Sequence, residues 1–171
     1  SRGSLGAAGS LITRPEIMAR ALLEGGTDAQ QGRWLPQIAS GETLCAVSVT
    51  EPNTGSDVAS VALKATPTDD GWLLNGGKTW CTYAGAAEAL LVLARTNADI
   101  QPAHKGLSLF VVEKPAFHGR SFDHQQPGGG RLSARAIATL GYRGMHSFEM
   151  FYENFFVPDD CLIGGPDGEG K

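Results

Sequence analysis

The chain has 171 residues, 42% of them hydrophobic and 19% charged, with a formal net charge of −4. That suffices for one sizeable core, and the acidic balance with dispersed basic residues argues against a nucleic-acid binder. No apolar stretch approaches the roughly 20 residues of a membrane span.

The first predicted elements are helical. Thr13-Arg14-Pro15-Glu16 reads as an N-cap, a Pro in the first turn and a capping-box Glu, with Ile17, Met18, Ala21 and Leu22 following at helical spacing. Gly25-Gly26 ends that helix. Thr27-Asp28-Ala29-Gln30 repeats the capping box, and Trp34, Leu35 and Ile38 stripe a second short helix that Ser40-Gly41 stops.

From Thr43 onward the apolar runs are strand length. They are Leu44–Val49, Val61–Ala65, Trp72–Leu74, Ala89–Ala94, Leu107–Val112, Ile137–Leu140, Phe148–Tyr152 and Cys161–Ile163, separated by Gly, Pro, Asn and Asp clusters. This predicts a mainly β chain, a sandwich or barrel preceded by two short helices. Residues 116–133 lack periodicity and read as an exposed loop. Cys45, Cys81 and Cys161 are too scattered for a disulfide framework or a zinc site, so a reducing cytoplasm is the expected setting. His104, His118, His124 and His146 show no metal-ligand spacing. The opening Ser-Arg-Gly-Ser has neither an initiating Met nor an apolar leader, and the chain reads as an internal piece of something longer.

Two segments carry chemistry. Val49-Thr50-Glu51-Pro52-Asn53-Thr54-Gly55-Ser56-Asp57 leaves a strand and enters a turn rich in hydroxyls, which exposes backbone N–H groups able to cradle a phosphate or a polar ring. Asn75-Gly76-Gly77 gives a hairpin signal before Lys78-Thr79-Trp80-Cys81-Thr82, where Trp80 offers a flat face and Thr82 a donor. Each has a plainer account as well: common turn chemistry, a core tryptophan, a β-prone threonine.

Taken in order, these segments resemble the T-E-P-x-x-G-S-D and N-G-x-K-x-W-[IV]-T patterns of the flavin-dependent acyl-CoA dehydrogenases. Leu140-Gly141-Tyr142-Arg143, Glu153-Asn154-Phe155-Phe156-Val157-Pro158 and Leu162-Ile163-Gly164 are similar to further segments of that family. The stretch from Gly130 to Ser147 resembles its methylsuccinyl-CoA dehydrogenase branch, while the 116–133 connection is longer than usual. The resemblance implies an orthogonal β-sandwich inside an α+β architecture. Residues 1–42 would be the last helices of an N-terminal helical domain, 43–165 the middle β-domain, and 166–171 the start of a link to a C-terminal helical domain.

The resemblance further implies FAD as cofactor, an acyl-CoA substrate, electron-transfer flavoprotein as redox partner and a homo-oligomer, tetramer or dimer. It assigns Val47, Val49, Thr50, Gly55, Ser56, Trp80, Cys81 and Thr82 to the flavin. Thr50 and the backbone near Val49 would meet the ring's pyrimidine edge, Trp80 would pack on the ring, Thr82 would donate towards N5, and Ser56 would also reach the acyl-CoA. Cys81 stands where Ile or Val is usual. The family's catalytic base is a Glu of the C-terminal domain, so none is expected here. Glu51 is expected to organise its loop, Asp57 to bond local backbone N–H groups, and Arg143 to pair with a buried carboxylate; Arg120, Arg131 and Arg135 are expected as solvated charges or as contacts to the CoA nucleotide. Same-fold flavin oxidases and monooxygenases, a flavin scaffold without activity, and a noncatalytic β-sandwich module are the open alternatives.

Overall fold

The computed structural model describes residues 5–141 and 145–169, which form two α-helices and one curled eight-stranded mixed sheet. The mainly β expectation holds. Arg143, with Tyr142 and Gly144, lies outside the described residues.

Helix α1 spans Leu5–Gly25 and α2 spans Asp28–Ser40. The start expected at Thr13 is wrong, because α1 runs through that point with Pro15 in its interior. An interior Pro removes one ladder hydrogen bond and costs ~3 kcal/mol. Burial of Arg14, Met18 and Leu22 on one face of α1 outweighs the local stop signal. The second helix begins as expected. Thr27 Oγ1 accepts from the Gln30 N–H at 3.2 Å, and Gln30 Oε1 accepts from the Thr27 N–H at 3.0 Å. Gly41, at φ 76°, closes it.

The strands are β1 (Cys45–Ser48), β2 (Lys64–Pro67), β3 (Gly71–Thr82), β4 (Ala89–Arg95), β5 (Leu107–Glu113), β6 (Ser121–Gln125), β7 (Arg131–Ala136) and β8 (Ser147–Pro158). Their order is β1-β4-β2-β3-β8-β7-β6, with β5 on the far edge of β4. Among the described residues, strand β1 pairs with β4 alone, in parallel, and so keeps one edge open. Strand β4 is buried on both faces, as a continuous apolar run should be. Leu90 and Val92 enter the core inside the curl with Phe110, Leu74 and Met150. Ala89 and Leu91 enter a second core under the helices with Met18, Leu22, Trp34 and Ile38.

Four local expectations are corrected. Asn75-Gly76-Gly77 is a kink rather than a hairpin, since β3 continues through it and pairs with β8 on both sides of a register shift at Leu74/Gly76. Gly76 has φ 138°, and a Cβ there would stand 3.1 Å from Leu63 Cα; the glycine serves a bulge and a close approach. The 116–133 segment is largely the β6–β7 hairpin, whose short alternation, with Phe122, Leu132 and Ala134 inward, is diluted by polar outward residues. Residues 137–140 form no strand, and Leu140 is 96% exposed. Cys161–Ile163 forms no strand: Cys161 ends a 3-10 turn, Asp159–Cys161, and Leu162 makes a single bridge to Phe110.

Candidate functional site

A cleft of about 260 Å³ opens along the free edge of β1. Val47, Val49 and Thr50 line one side, Thr79, Trp80 and Thr82 the other, and Thr13, Arg14 and Ile17 of α1 the third. Five of the eight residues expected to bind a cofactor therefore converge: Val47, Val49, Thr50, Trp80 and Thr82. The Cys81 side chain is fully buried and faces the core, its thiol donating to Ser48 Oγ at 3.4 Å. Burial pushes that thiol up to about 11, so it stays neutral. Gly55 and Ser56 are exposed on the turn beyond Thr54 and do not line the cleft.

Trp80 is 57% exposed and holds φ 57°. It sits at the register shift between Lys78 and Cys81, and the bulge turns its ring outward while Lys78 and Cys81 stay inside. A large aromatic placed in a strained conformation on a cleft wall is not packing the core. The Thr82 hydroxyl shares a 2.8 Å hydrogen bond with Ser147 Oγ from β8. If Ser147 donates, the Thr82 proton is free to point into the cleft.

The backbone is equally ordered. Thr79 N–H donates to the Thr50 carbonyl at 2.8 Å, and Lys78 Nζ donates to the Val49 carbonyl at 2.9 Å. Both acceptors of the β1 exit are thereby used from behind. Among the described residues, the N–H groups of Val49 and Thr50 have no acceptor. The cleft thus offers donors to whatever occupies it.

Glu51 supports this loop, as expected. Its carboxylate accepts from the Ala62 and Leu63 N–H groups at 2.8 and 2.7 Å and from Lys78 Nζ at 2.9 Å. Burial alone would raise the Glu51 carboxyl, but the Leu63 and Ala62 N–H groups and the Lys78 ammonium outweigh it and hold it below its ordinary value. Asp57 differs from expectation: its carboxylate accepts the Ser60 hydroxyl rather than a backbone N–H. Lys78, only 1% exposed, Ser147 and Arg14 were not singled out by sequence. An inward lysine two residues before the tryptophan was the available signal for Lys78.

Arg14 joins three elements. Its Nε donates to the Cys45 carbonyl at 3.3 Å, its Nη1 approaches Met145 Sδ at 3.0 Å, and the guanidinium lies 4.6 Å from the Tyr83 ring centroid. Arg131 is engaged elsewhere, paired with Asp123 at 2.7 Å and Glu153 at 3.2 Å; Arg120 and Arg135 are exposed beside a separate surface groove. No group of His, Cys, Asp or Glu suited to a metal ion occurs among the described residues.

The family model for the middle domain of acyl-CoA dehydrogenases matches residues 46–155. This chain belongs to the acyl-CoA dehydrogenase family. A (2S)-methylsuccinyl-CoA dehydrogenase of Cereibacter sphaeroides is 43% identical over 171 residues, covering 99% of this chain and 30% of that protein. The structure of a glutaryl-coenzyme A dehydrogenase in complex with glutaryl-CoA superposes with a TM-score of 0.79 at 30% identity, over 97% of this chain and 38% of that one. An FAD complex of PigA superposes with a TM-score of 0.71 at 27% identity, over 88% and 35%. This chain spans about a third of the length of these proteins.

Of these relatives, the PigA structure is a complex with FAD. The cleft fits a flavin ring as one wall: an outward tryptophan for a planar face, open amide donors for an electron-rich edge, and the threonines Thr50 and Thr82 among its lining. Its 260 Å³ falls below the range of about 300–1,000 Å³ typical of a pocket enclosing a ligand, so it would cover a flavin on one side only.

Proposed function

We propose that this chain is the flavin-facing β-unit of an enzyme that oxidises an acyl-CoA thioester to its enoyl-CoA. The observation that carries the reading is the cleft itself, where exposed Trp80, the Thr82 hydroxyl and the acceptor-free N–H groups of Val49 and Thr50 meet.

When bound, FAD supplies the acceptor for the hydride equivalent leaving the β-carbon. The residues of this chain do the rest of what a wall can do. Thr50 and the amides of Val49 and Thr50 would donate to the flavin's pyrimidine edge, by the logic of an oxyanion hole. Trp80 would pack on the ring and exclude water. Thr82, oriented by Ser147, would donate towards N5. Val47 and the Cys81 backbone would shape the edge, and Gly55 and Ser56 would serve the pyrophosphate and the acyl-CoA from the exposed turn.

Residues 1–42 belong to a helical unit, 43–165 to the β-unit and 166–171 to a link onward. The α-proton is taken by a base outside this chain, so the chain alone is inactive. Similarity to a methylsuccinyl-CoA dehydrogenase favours a short branched or dicarboxylic acyl group. Electron-transfer flavoprotein is the redox partner and the whole protein a homotetramer or homodimer. Three buried thiols, and the absence of any helix long and apolar enough to cross a membrane among the described residues, fit a cytoplasmic setting.

The test is an absorbance spectrum of the full-length protein before and after anaerobic addition of short-chain acyl-CoAs. Flavin absorbance that bleaches with one thioester is the expected result. Bound flavin that no thioester bleaches would overturn the dehydrogenase reading, and a colourless protein would overturn the site.

A further inference from the structure

We infer that Lys78 and Glu51 form a positioning pair that decides which backbone groups the cleft presents, withdrawing the carbonyls and leaving the amide donors. The inference rests on the flavin reading of the cleft and goes beyond it, since neither side chain lines the cleft.

The pair is costly to bury. Lys78 is 1% exposed and Glu51 is 7% exposed, on the inner side of a loop that a hydrophobic pair could fill. Burial of two charges is repaid only by close geometry and additional hydrogen bonds, and a hydrophobic substitute is often as stable. Here one additional bond falls on the cleft loop, at the Val49 carbonyl, and the other two tie Glu51 to residues 62–63 ahead of β2. The Lys78 ammonium holds the Val49 carbonyl at 2.9 Å, and Glu51 anchors the ammonium at 2.9 Å while binding the Ala62 and Leu63 N–H groups. Burial lowers the Lys78 ammonium from its ordinary value, and the contact with Glu51 opposes that fall.

The consequence reaches the cleft through one peptide unit. With its carbonyl tied back to Lys78, the Val49–Thr50 peptide has its N–H directed to the other side, and the next carbonyl is tied by Thr79. Amide donors held with no competing carbonyl favour a ring edge that gains negative charge over one that does not. Without the ammonium, the Val49 carbonyl is released and competes as an acceptor beside the same edge.

The experiment uses the full-length protein and compares it with Lys78→Met and with the double variant Lys78→Met/Glu51→Gln, which buries no lone carboxylate. The flavin potential is measured by dye equilibration, and melting temperature beside it. Loss of the ammonium should weaken binding of the reduced flavin about tenfold relative to the oxidised form, a fall of about 30 mV in the two-electron potential. The double variant should recover melting temperature while its potential stays low. A double variant with an unchanged potential overturns the inference and leaves Lys78 a structural residue. Unsubstituted protein that holds no flavin overturns the site reading, and this inference with it. Exchange of the Lys78 ammonium hydrogens, read by NMR in the unsubstituted protein, is the companion measurement. Slow exchange is expected, and free exchange overturns the inference whatever the variants do.

Discussion

Thr82 and Ser147 share one hydrogen bond at 2.8 Å, and only one of them faces the cleft. Thr82→Val removes the proposed donor at N5, and flavin reduction should slow by up to about 10²-fold in stopped-flow traces, as for loss of one oxyanion donor. Ser147→Ala keeps that donor but lets its proton turn, so a smaller slowing is expected. Lys114 is a second buried lysine, 5% exposed, with no carboxylate in direct ion-pair contact among the described residues, Glu88 acting on it only from a distance. Its Nζ donates to the carbonyls of Gly85, Ala87 and Pro115 at 2.8, 2.6 and 3.0 Å, and burial brings its ammonium down from 10.5 to about 8. Between those values the unfolded chain holds the proton and the folded chain does not, so stability should rise with pH across that window. The difference between wild type and Lys114→Met in urea midpoint, followed from pH 7 to 10, should show that slope. Trp80 and Thr82 were legible in the sequence because an aromatic and a hydroxyl two apart on a strand announce themselves. Lys78, Ser147 and Arg14 were not, since what they do depends on partners 29, 65 and 31 residues away.

At the level of elements, what could be read was the period and what could not was the competition between local signals and packing. Strand β4 was plain as an uninterrupted apolar run, which follows from its burial between two cores. Strand β3 was split by Asn75-Gly76-Gly77, because the same residues that make a hairpin turn also make a bulge, and only the neighbouring Leu63 backbone decides between them. Gly76→Ala should therefore cost about 1–3 kcal/mol in chemical denaturation, through a positive φ and a close approach, and not disrupt chain reversal. A loss below about 0.5 kcal/mol, the scale of an ordinary surface substitution, would count against the bulge. Proline at position 15 misled for a related reason. Its stop signal is worth about 3 kcal/mol, less than the packing of the face carrying Met18 and Leu22.

Across the whole molecule the helices and the curled sheet meet through β1, β4 and β5, and the cleft lies at the seam where α1, β1 and β3 converge. Trp34 and Trp72 are buried, 4% and 8% exposed, against 57% for Trp80. Removing flavin from the full-length protein should consequently increase acrylamide quenching of its tryptophan fluorescence, and Trp80→Phe should abolish most of that increase. The open edge of β1 has a consequence of its own. A strand with unpaired N–H groups is a template on which another chain can lay a strand, and proteins commonly blunt such edges with charge or cover. Here Arg14 blunts the edge at Cys45, while Val47 and Val49 line the cleft. The flavin would then act as a cap against self-association: apoprotein should scatter light on warming well before the holoprotein does, and added FAD should suppress it.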